Sequence, residues 1–381
     1  MRKKVLFCAT VDFHFTAFHL PYLKWFKDQG WEVHLAAAGK LDIPFVDKKY
    51  DIPIQRSPFK RKNIGAYKVL KTLIDDHRYE IIHCHTPMGG VLTRLAARKA
   101  RNHETKVIYT AHGFHFCKGA PLLNWLVYYP IEKVLARYTD CLITINEEDF
   151  SLAVNHHFKA TRIEHVHGVG VNTERFTPVK DKSALRKKYH YPNDTFLMFY
   201  AAEFNKNKNQ QILIEALPFI KEQLPTAKLL LAGDGPLIDH CKQLAKNLGV
   251  EEMVDFLGYR QDVESLLKMS DIAVASSLRE GLPVNIMEAM ACGLPIVAVD
   301  NRGHRELVFN NQNGFLVGKE AIEIANKIIN LAVNKDLREQ FGLHSRFVIE
   351  EKYSVDRILE ESRQMYKKVM DQMEEIQWAV Q

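Results

Sequence analysis

Asp271-Ile272-Ala273-Val274-Ala275-Ser276-Ser277, followed by Glu280-Gly281-Leu282-Pro283-Val284-Asn285-Ile286-Met287-Glu288, is the stretch that decides the fold of this 381-residue chain. The run from Ile272 is short and apolar and ends in two hydroxyls, the pattern of a buried strand. Gly281 permits a tight turn with close backbone approach. Pro283 suits the first position of a helix, where its missing N–H is no loss. Ile286, Met287, Ala289, Met290 and Ala291 make that helix apolar on most sides, which predicts burial. Gly293 ends it, and residues 294–299 form the next buried strand. Strand, glycine turn, helix and strand leave free backbone N–H groups at a helix N-terminus, where anions bind. A carboxylate on either side of that point (Glu280, Glu288) repels phosphate. The combination suits a ligand with both phosphates and hydroxyls, such as a nucleotide sugar. The plainer alternative makes Glu280 a solvated loop residue and Glu288 a paired helix residue.

The same alternation extends outward in both directions. Buried strands are expected at 5–9, 31–37, 81–85, 106–110 and 141–145. The helices between them end near Gly30 or span 64–76, 91–101 and 147–155. Residues 122–138, rich in aromatics and holding Pro130, are read as a kinked core helix, with a lipid-touching surface as the alternative. After an irregular stretch at 167–178 the pattern restarts. Strands follow at 196–201, 228–232, 254–257, 272–275 and 296–299, with helices starting near Lys208, Leu237 and Asp262. This predicts an α/β chain of two doubly wound, Rossmann-like domains, 1–172 and 173–353. A helical tail, 354–381, carries Tyr366 and Trp378 as apolar positions. Ligands in such sheets sit at the carboxyl ends of the strands.

Composition is that of an ordinary globular protein, with 46% hydrophobic residues and a formal net charge of +6. The basic excess lies in the first half (Arg56, Lys60, Arg61, Lys62, Arg94, Arg98, Lys99, Arg101). It fits either an anionic partner such as a membrane surface or a solvated face. No nucleic-acid-binding motif accompanies it. Six scattered cysteines without a CxxC pair read as buried free thiols in a reducing compartment. Met1-Arg2-Lys3-Lys4 runs straight into the first strand, and no apolar run is long enough to span a bilayer. A cytoplasmic location is expected, at most peripheral at the inner face of the cell membrane.

Further constellations fall at strand ends. Glu203, Asn205 and Lys208 follow the first strand of the second domain, where Lys208 could meet a phosphate. Gly233-Asp234-Gly235-Pro236 is a glycine turn open to a ligand or only a turn. Tyr259 and Arg260 follow a third strand, where backbone amides could read a base edge. In the first domain, His112-Gly113-Phe114 follows a strand, and His112 could contact a sugar. With His83, His85 and Cys117 it could instead suggest zinc, but no metal-ligand spacing supports that; His83 reads as a packed strand residue.

Together, Glu280-x7-Glu288, Lys208, Gly233-x-Gly235-Pro236, His112-Gly113-Phe114 and Gly168-Val169-Gly170-Val171-Asn172 resemble glycosyltransferase family 4, retaining enzymes of the GT-B fold. Cys84-His85-Thr86-Pro87, Thr110–Phe116 and Asp300–Glu306 are similar to the exopolysaccharide and capsule branch of EpsD-like enzymes. The resemblance implies two Rossmann-like domains facing across a cleft, with the C-terminal helix crossing back to the first. It implies a donor, expected to be a UDP-sugar, with Glu280 on the sugar hydroxyls and the amides after Gly281 on the sugar and diphosphate. Leu282, Val284 and Asn285 belong to that amide-bearing stretch. Glu288 would take the ribose hydroxyls, Lys208 the leaving diphosphate and His112 the donor sugar. A polyprenyl-linked or oligosaccharide acceptor would lie against Thr10, Val11, Asp12, His85 and Thr86, in contact with the anionic inner membrane. No cofactor and no metal are required. Glu203 stands where the family usually has an arginine, with Arg279 or Lys206 as compensating cations. A sugar-nucleotide epimerase and a degenerate, non-enzymatic partner subunit are the rival readings.

Overall fold

The computed structural model describes residues 2–380, with side chains through residue 371. Trp378 therefore lies outside the described side chains. The chain forms two compact units, Met1–Val169 with Ile358–Gln381, and Gly170–Arg357.

The first unit holds a seven-stranded sheet: β1 (Lys4–Val11), β2 (Glu32–Ala38), β3 (Lys48–Asp51), β4 (Ile81–His85), β5 (Lys106–Ala111), β6 (Cys141–Thr144) and β7 (Arg162–His165). All are parallel, in the order β3-β2-β1-β4-β5-β6-β7. Side chains alternate between the two faces of β1. Leu6 and Cys8 enter one apolar core, and Val5, Phe7 and Ala9 the other. Burial on both faces is why this strand reads as an unbroken apolar run. The helix Val355–Val380 contributes Ile358, Met365, Tyr366 and Val369, one stripe at helical spacing, to the second of these cores.

The second unit repeats the plan with β8 (Leu197–Ala201), β9 (Lys228–Ala232), β10 (Val254–Gly258), β11 (Ile272–Ala275), β12 (Ile296–Val299) and β13 (Gly314–Val317). The order is β10-β9-β8-β11-β12-β13, again all parallel. In each sheet the order in which strands are added thus reverses once, between β1 and β4 in the first unit and between β8 and β11 in the second. Crevices for ligands open at such switch points.

Four expectations change. Strands β3, β7 and β13 were not foreseen. All three sit at sheet edges, and β3 and β7 are only half-buried, so they lack the apolar run of a central strand. The helix Leu122–Leu135 is not core on most sides: Leu122, Leu123 and Leu126 are each about two-thirds exposed or more, while Trp125, Tyr128 and Tyr129 pack inward. Arg94 is not a surface charge. It is wholly buried, with Nη2 2.8 Å from Glu132 Oε2 and its guanidinium 3.8 Å from the Tyr109 ring centroid. Arg101 likewise forms a two-pronged pair with Asp140, leaving a smaller basic surface than the sequence suggested. Finally, the helix after β8 begins at Gln211, so Lys208 lies in the loop before it.

Candidate active site

In the second unit the switch point is formed by the loops after β8 and β11. Asn205 shapes the first of them: its Oδ1 accepts from the amides of Asn207 and Lys208, each at 3.0 Å. The second is tied to it. Leu278 N donates to Asn207 O, Asn207 Nδ2 to Arg279 O, and Ser276 Oγ to Lys208 O. These bonds bring two residues 72 positions apart together, with Lys208 Nζ 2.5 Å from Glu280 Oε1. Both side chains are partly buried, which strengthens the attraction relative to water. Arg302 Nε donates to Glu280 O, and Gly303 packs so closely that a Cβ there would stand 2.7 Å from Glu280 Cβ. Asn301, buried, caps the helix Arg302–Leu307 and donates to Ser277 O. The loop that presents Glu280 is therefore braced from both sides.

Beyond Glu280 the amides of Gly281, Leu282, Val284 and Asn285 make no hydrogen bond among the described residues. They surround the N-terminus of the helix Val284–Ala291, at which Pro283 occupies the N-cap position. Asn285 Nδ2 donates to Ala201 O, fixing this helix against the end of β8. One turn in, burial pushes the Glu288 carboxyl up to about 7, and no hydrogen bond to that carboxyl is found among the described residues. The second unit thus offers a cation, a carboxylate paired to it, open amides and a carboxyl poised near neutrality, all at one switch point.

These features can be set beside known proteins. Residues 181–346 match the family model described as "Glycosyl transferases group 1", and residues 4–146 match "Glycosyl transferase 4-like". The chain is 50% identical over 374 residues to "Putative glycosyltransferase EpsD" of Bacillus subtilis (strain 168), covering 97% of this chain and 98% of that one. The chain belongs to the EpsD-like glycosyltransferase family. It is also 30% identical over 72% of its length to the "UDP-Gal:alpha-D-GlcNAc-diphosphoundecaprenol alpha-1,3-galactosyltransferase" of Escherichia coli, of which it covers 74%. Among solved structures, Anabaena HepE in complex with UDP and glucose superposes with a TM-score of 0.78 at 21% identity, covering 96% of this chain and 100% of that chain. The fold is GT-B.

Other expected donor residues in this EpsD-like chain have structural duties. Gly233 and Gly235 hold φ of +142° and +153°, and a Cβ on either would collide with Ala202 O or Phe204 O. Their freedom is used by the chain's own loop after β8. Arg260 is held by Asp262 through bonds of 2.8 and 2.6 Å, while Tyr189 also donates to that carboxylate. Tyr259 is exposed. Glu203 is exposed and accepts from Asn205 Nδ2. Asp234 is linked to the loop after β8 through its backbone oxygen, which accepts from Phe204 N. Arg279 is exposed, whereas the buried Arg302, noted in the sequence only within the run Asp300–Glu306 and given no role there, lies against the backbone of Glu280. Its sequence signals are that run and its place just after a strand end.

In the first unit, the loops after β1, β4 and β5 surround a cavity of about 530 Å³. Its walls include Thr10, Val11, His14, Thr86, His112 and Tyr128. The Thr10 amide and hydroxyl both meet Thr86 Oγ1, at 3.0 and 2.8 Å. Thr86 itself holds φ of +63°, an uncommon strained conformation for a β-branched residue. Asp12 serves the frame: its carboxylate takes bonds from Leu41 N and Lys49 Nζ, which outweigh burial and keep it ionised below the usual range. His83 is a satisfied strand residue, bonded to Tyr366 OH at 2.6 Å and Thr110 Oγ1 at 2.8 Å. His85 and His112 meet each other at 3.3 Å and are joined by His14 and His19. Burial drives the His14 ring down to about 4 and the rings of His19, His85 and His112 well below their ordinary value, so all four are neutral at pH 7. Cys117 is a buried cysteine outside this group. His14 and His19 were not singled out in the sequence because they flank a break between two short helices and follow no ligand spacing.

Proposed function

We propose that this glycosyltransferase moves a sugar from a UDP-sugar to a polyprenyl-linked or oligosaccharide acceptor, with retention of configuration, in exopolysaccharide or capsule synthesis. The observation that carries the reading is the Lys208–Glu280 pair beside open helix amides at the switch point of the second unit. As the bond from the anomeric carbon to the diphosphate breaks, negative charge grows on the leaving oxygen. Lys208 and the amides after Gly281 stabilise that charge. Glu280 then exchanges its ion pair for sugar hydroxyls, and Glu288 takes the ribose hydroxyls. The acceptor hydroxyl attacks from the leaving-group side and passes its proton to the departing diphosphate. Because Lys208 and the amides supply the positive charge, this transfer needs no metal. His112 stays assigned to the donor sugar.

The cavity of the first unit suits the acceptor. Two segments that line it, at 56–58 and 128–132, adjoin exposed apolar and basic groups: Phe59, Lys60, Arg61 and Lys62 on one, Leu122, Leu123 and Leu126 on the other. Such a rim fits peripheral contact with an anionic membrane carrying a lipid-linked acceptor, on the cytoplasmic side where nucleotide sugars are held. No described helix is long and apolar enough to cross a membrane. Support for the donor and acceptor classes also comes from the E. coli relative named for UDP-Gal and a diphosphoundecaprenol acceptor.

The test is thermal stabilisation by UDP, GDP and a panel of UDP-sugars on wild type and Glu288→Ala. At about 100 times its dissociation constant a ligand adds roughly 2.7 kcal/mol. Stabilisation by UDP that is lost in the variant supports the reading; no response to any nucleotide rejects it.

A further inference from the structure

Four histidines from three separate segments of the first unit converge on one point. His14 lies on the short helix Phe13–Phe18, His19 at the junction with the next helix, His85 at the end of β4 and His112 just past β5. One ring nitrogen from each lies within 4.8 Å of the others. Two edges of the group are closer: His14 Nε2 to His19 Nε2 at 3.0 Å, and His85 Nδ1 to His112 Nε2 at 3.3 Å. A tetrahedral ion with metal–nitrogen bonds of 2.0–2.1 Å sets its ligand nitrogens about 3.3 Å apart. Ring centroids within the group are 4.1 to 6.1 Å apart. Phe7 and Phe15 pack against His85, closing the cluster from below.

A purely hydrogen-bonded packing does not satisfy this group. His85 is 1% exposed, and its Nε2 is buried without a hydrogen-bond partner. Buried polar atoms in native proteins are nearly always paired. Nδ1, which faces His112, is the His85 atom placed for an ion, and Nε2 is left for a hydrogen-bond partner of its own. Imidazole nitrogen with no thiolate or carboxylate in the set suits zinc, copper, nickel and cobalt rather than magnesium or calcium.

We propose that His14, His19, His85 and His112 form a binding site for a divalent transition metal of the zinc class, on the wall of the first unit's cavity. The ion pins the helix Phe13–Phe18, which supplies Phe13, His14 and Phe18 to that wall, to the ends of β4 and β5. The ion takes the His112 nitrogen that otherwise meets His85, so, on the proposed role of His112 at the donor sugar, occupancy and sugar transfer are opposed. The site stands on the geometry of the first unit alone. It is independent of the donor reading, and its test reads metal rather than turnover.

The experiment titrates full-length, chelator-stripped protein with Co²⁺ and then Zn²⁺. Visible absorption reports tetrahedral coordination, and equilibrium dialysis gives stoichiometry. The expected result is one ion per chain with intense tetrahedral Co²⁺ bands, displaced by Zn²⁺. In His14→Gln the affinity should fall by at least about 100-fold. His14 is partly exposed, so the variant is expected to fold, as checked by its melting transition. His112→Gln, also partly exposed, repeats the comparison if it does not. Absence of Co²⁺ bands in wild type, which would mean that no tetrahedral site forms, or unchanged affinity in a folded variant, which would put the metal on other ligands, overturns the proposal.

Discussion

The two switch points share one topology and carry opposite chemistry. In the second unit the loops after β8 and β11 present an ion pair, open amides and the carboxyl of Glu288. In the first unit the equivalent loops after β1 and β4, with that after β5, present hydroxyls and neutral imidazoles. The strand order brings loops to the same place in both, and the side chains on those loops decide what the place can do. The second place holds paired and ionisable charge, and the protein groups of the first are uncharged.

That contrast can be broken at several points. The largest effect is expected at Lys208. Lys208→Ala removes the cation beside the leaving diphosphate and should lower turnover by about 10²- to 10³-fold, read by release of UDP. A loss under tenfold would mean the second switch point does not work by charge. Glu280→Gln should lower transfer by roughly 10- to 100-fold while UDP affinity holds or rises, because Lys208 is released from its partner. Parallel loss of UDP binding would instead make the pair a structural strut.

Glu288 sharpens the comparison through pH. Its folded-state value of about 7 lies above the unfolded value near 4.5, so the folded chain holds an extra proton between the two. The stabilisation from that proton is full below about 4.5 and is lost as pH rises through 7. Ribose hydroxyls donate to the ionised form, so UDP affinity should increase about tenfold from pH 6 to pH 8, as the ionised fraction does. Calorimetric titration across that range checks this, and Glu288→Gln should give a flat profile. The smallest effect is expected on the first unit's rim. Replacing Leu122, Leu123 and Leu126 with serine should weaken sedimentation with anionic vesicles several-fold. Stabilisation by UDP should stay unchanged, since these side chains are exposed.

The legible part of the chain was its central strands and the stretch around Glu280. Strands buried on both faces write their position as apolar runs, and a glycine turn into an apolar helix is a local signal. Edge strands β3 and β7 escaped because exposed or half-exposed residues such as Lys48 and Arg162 interrupt any such run. The helix at 122–135 was misjudged because apolar composition does not say which side faces the core. Leu122 and Trp125 have similar hydrophobicity and opposite fates. Arg94 looked like surface charge because its partner, Glu132, is 38 residues away.

Sequence by itself determined the alternating α/β plan, the division into two sheets, and the residues Lys208, Glu280 and Glu288 as a set worth joining. The first two follow from interactions within a few residues or from periodicities that one segment carries alone; the three residues were joined only by the resemblance to glycosyltransferase family 4. Tertiary structure decided that Lys208 reaches Glu280, that Gly233 and Gly235 make room for their own chain, and that four histidines meet. It also withdrew Arg94 from the surface and paired Arg101 with Asp140. Each of those outcomes depends on which loops the parallel strand order sets side by side, and parallel pairing joins segments whose separation along the chain leaves no local trace.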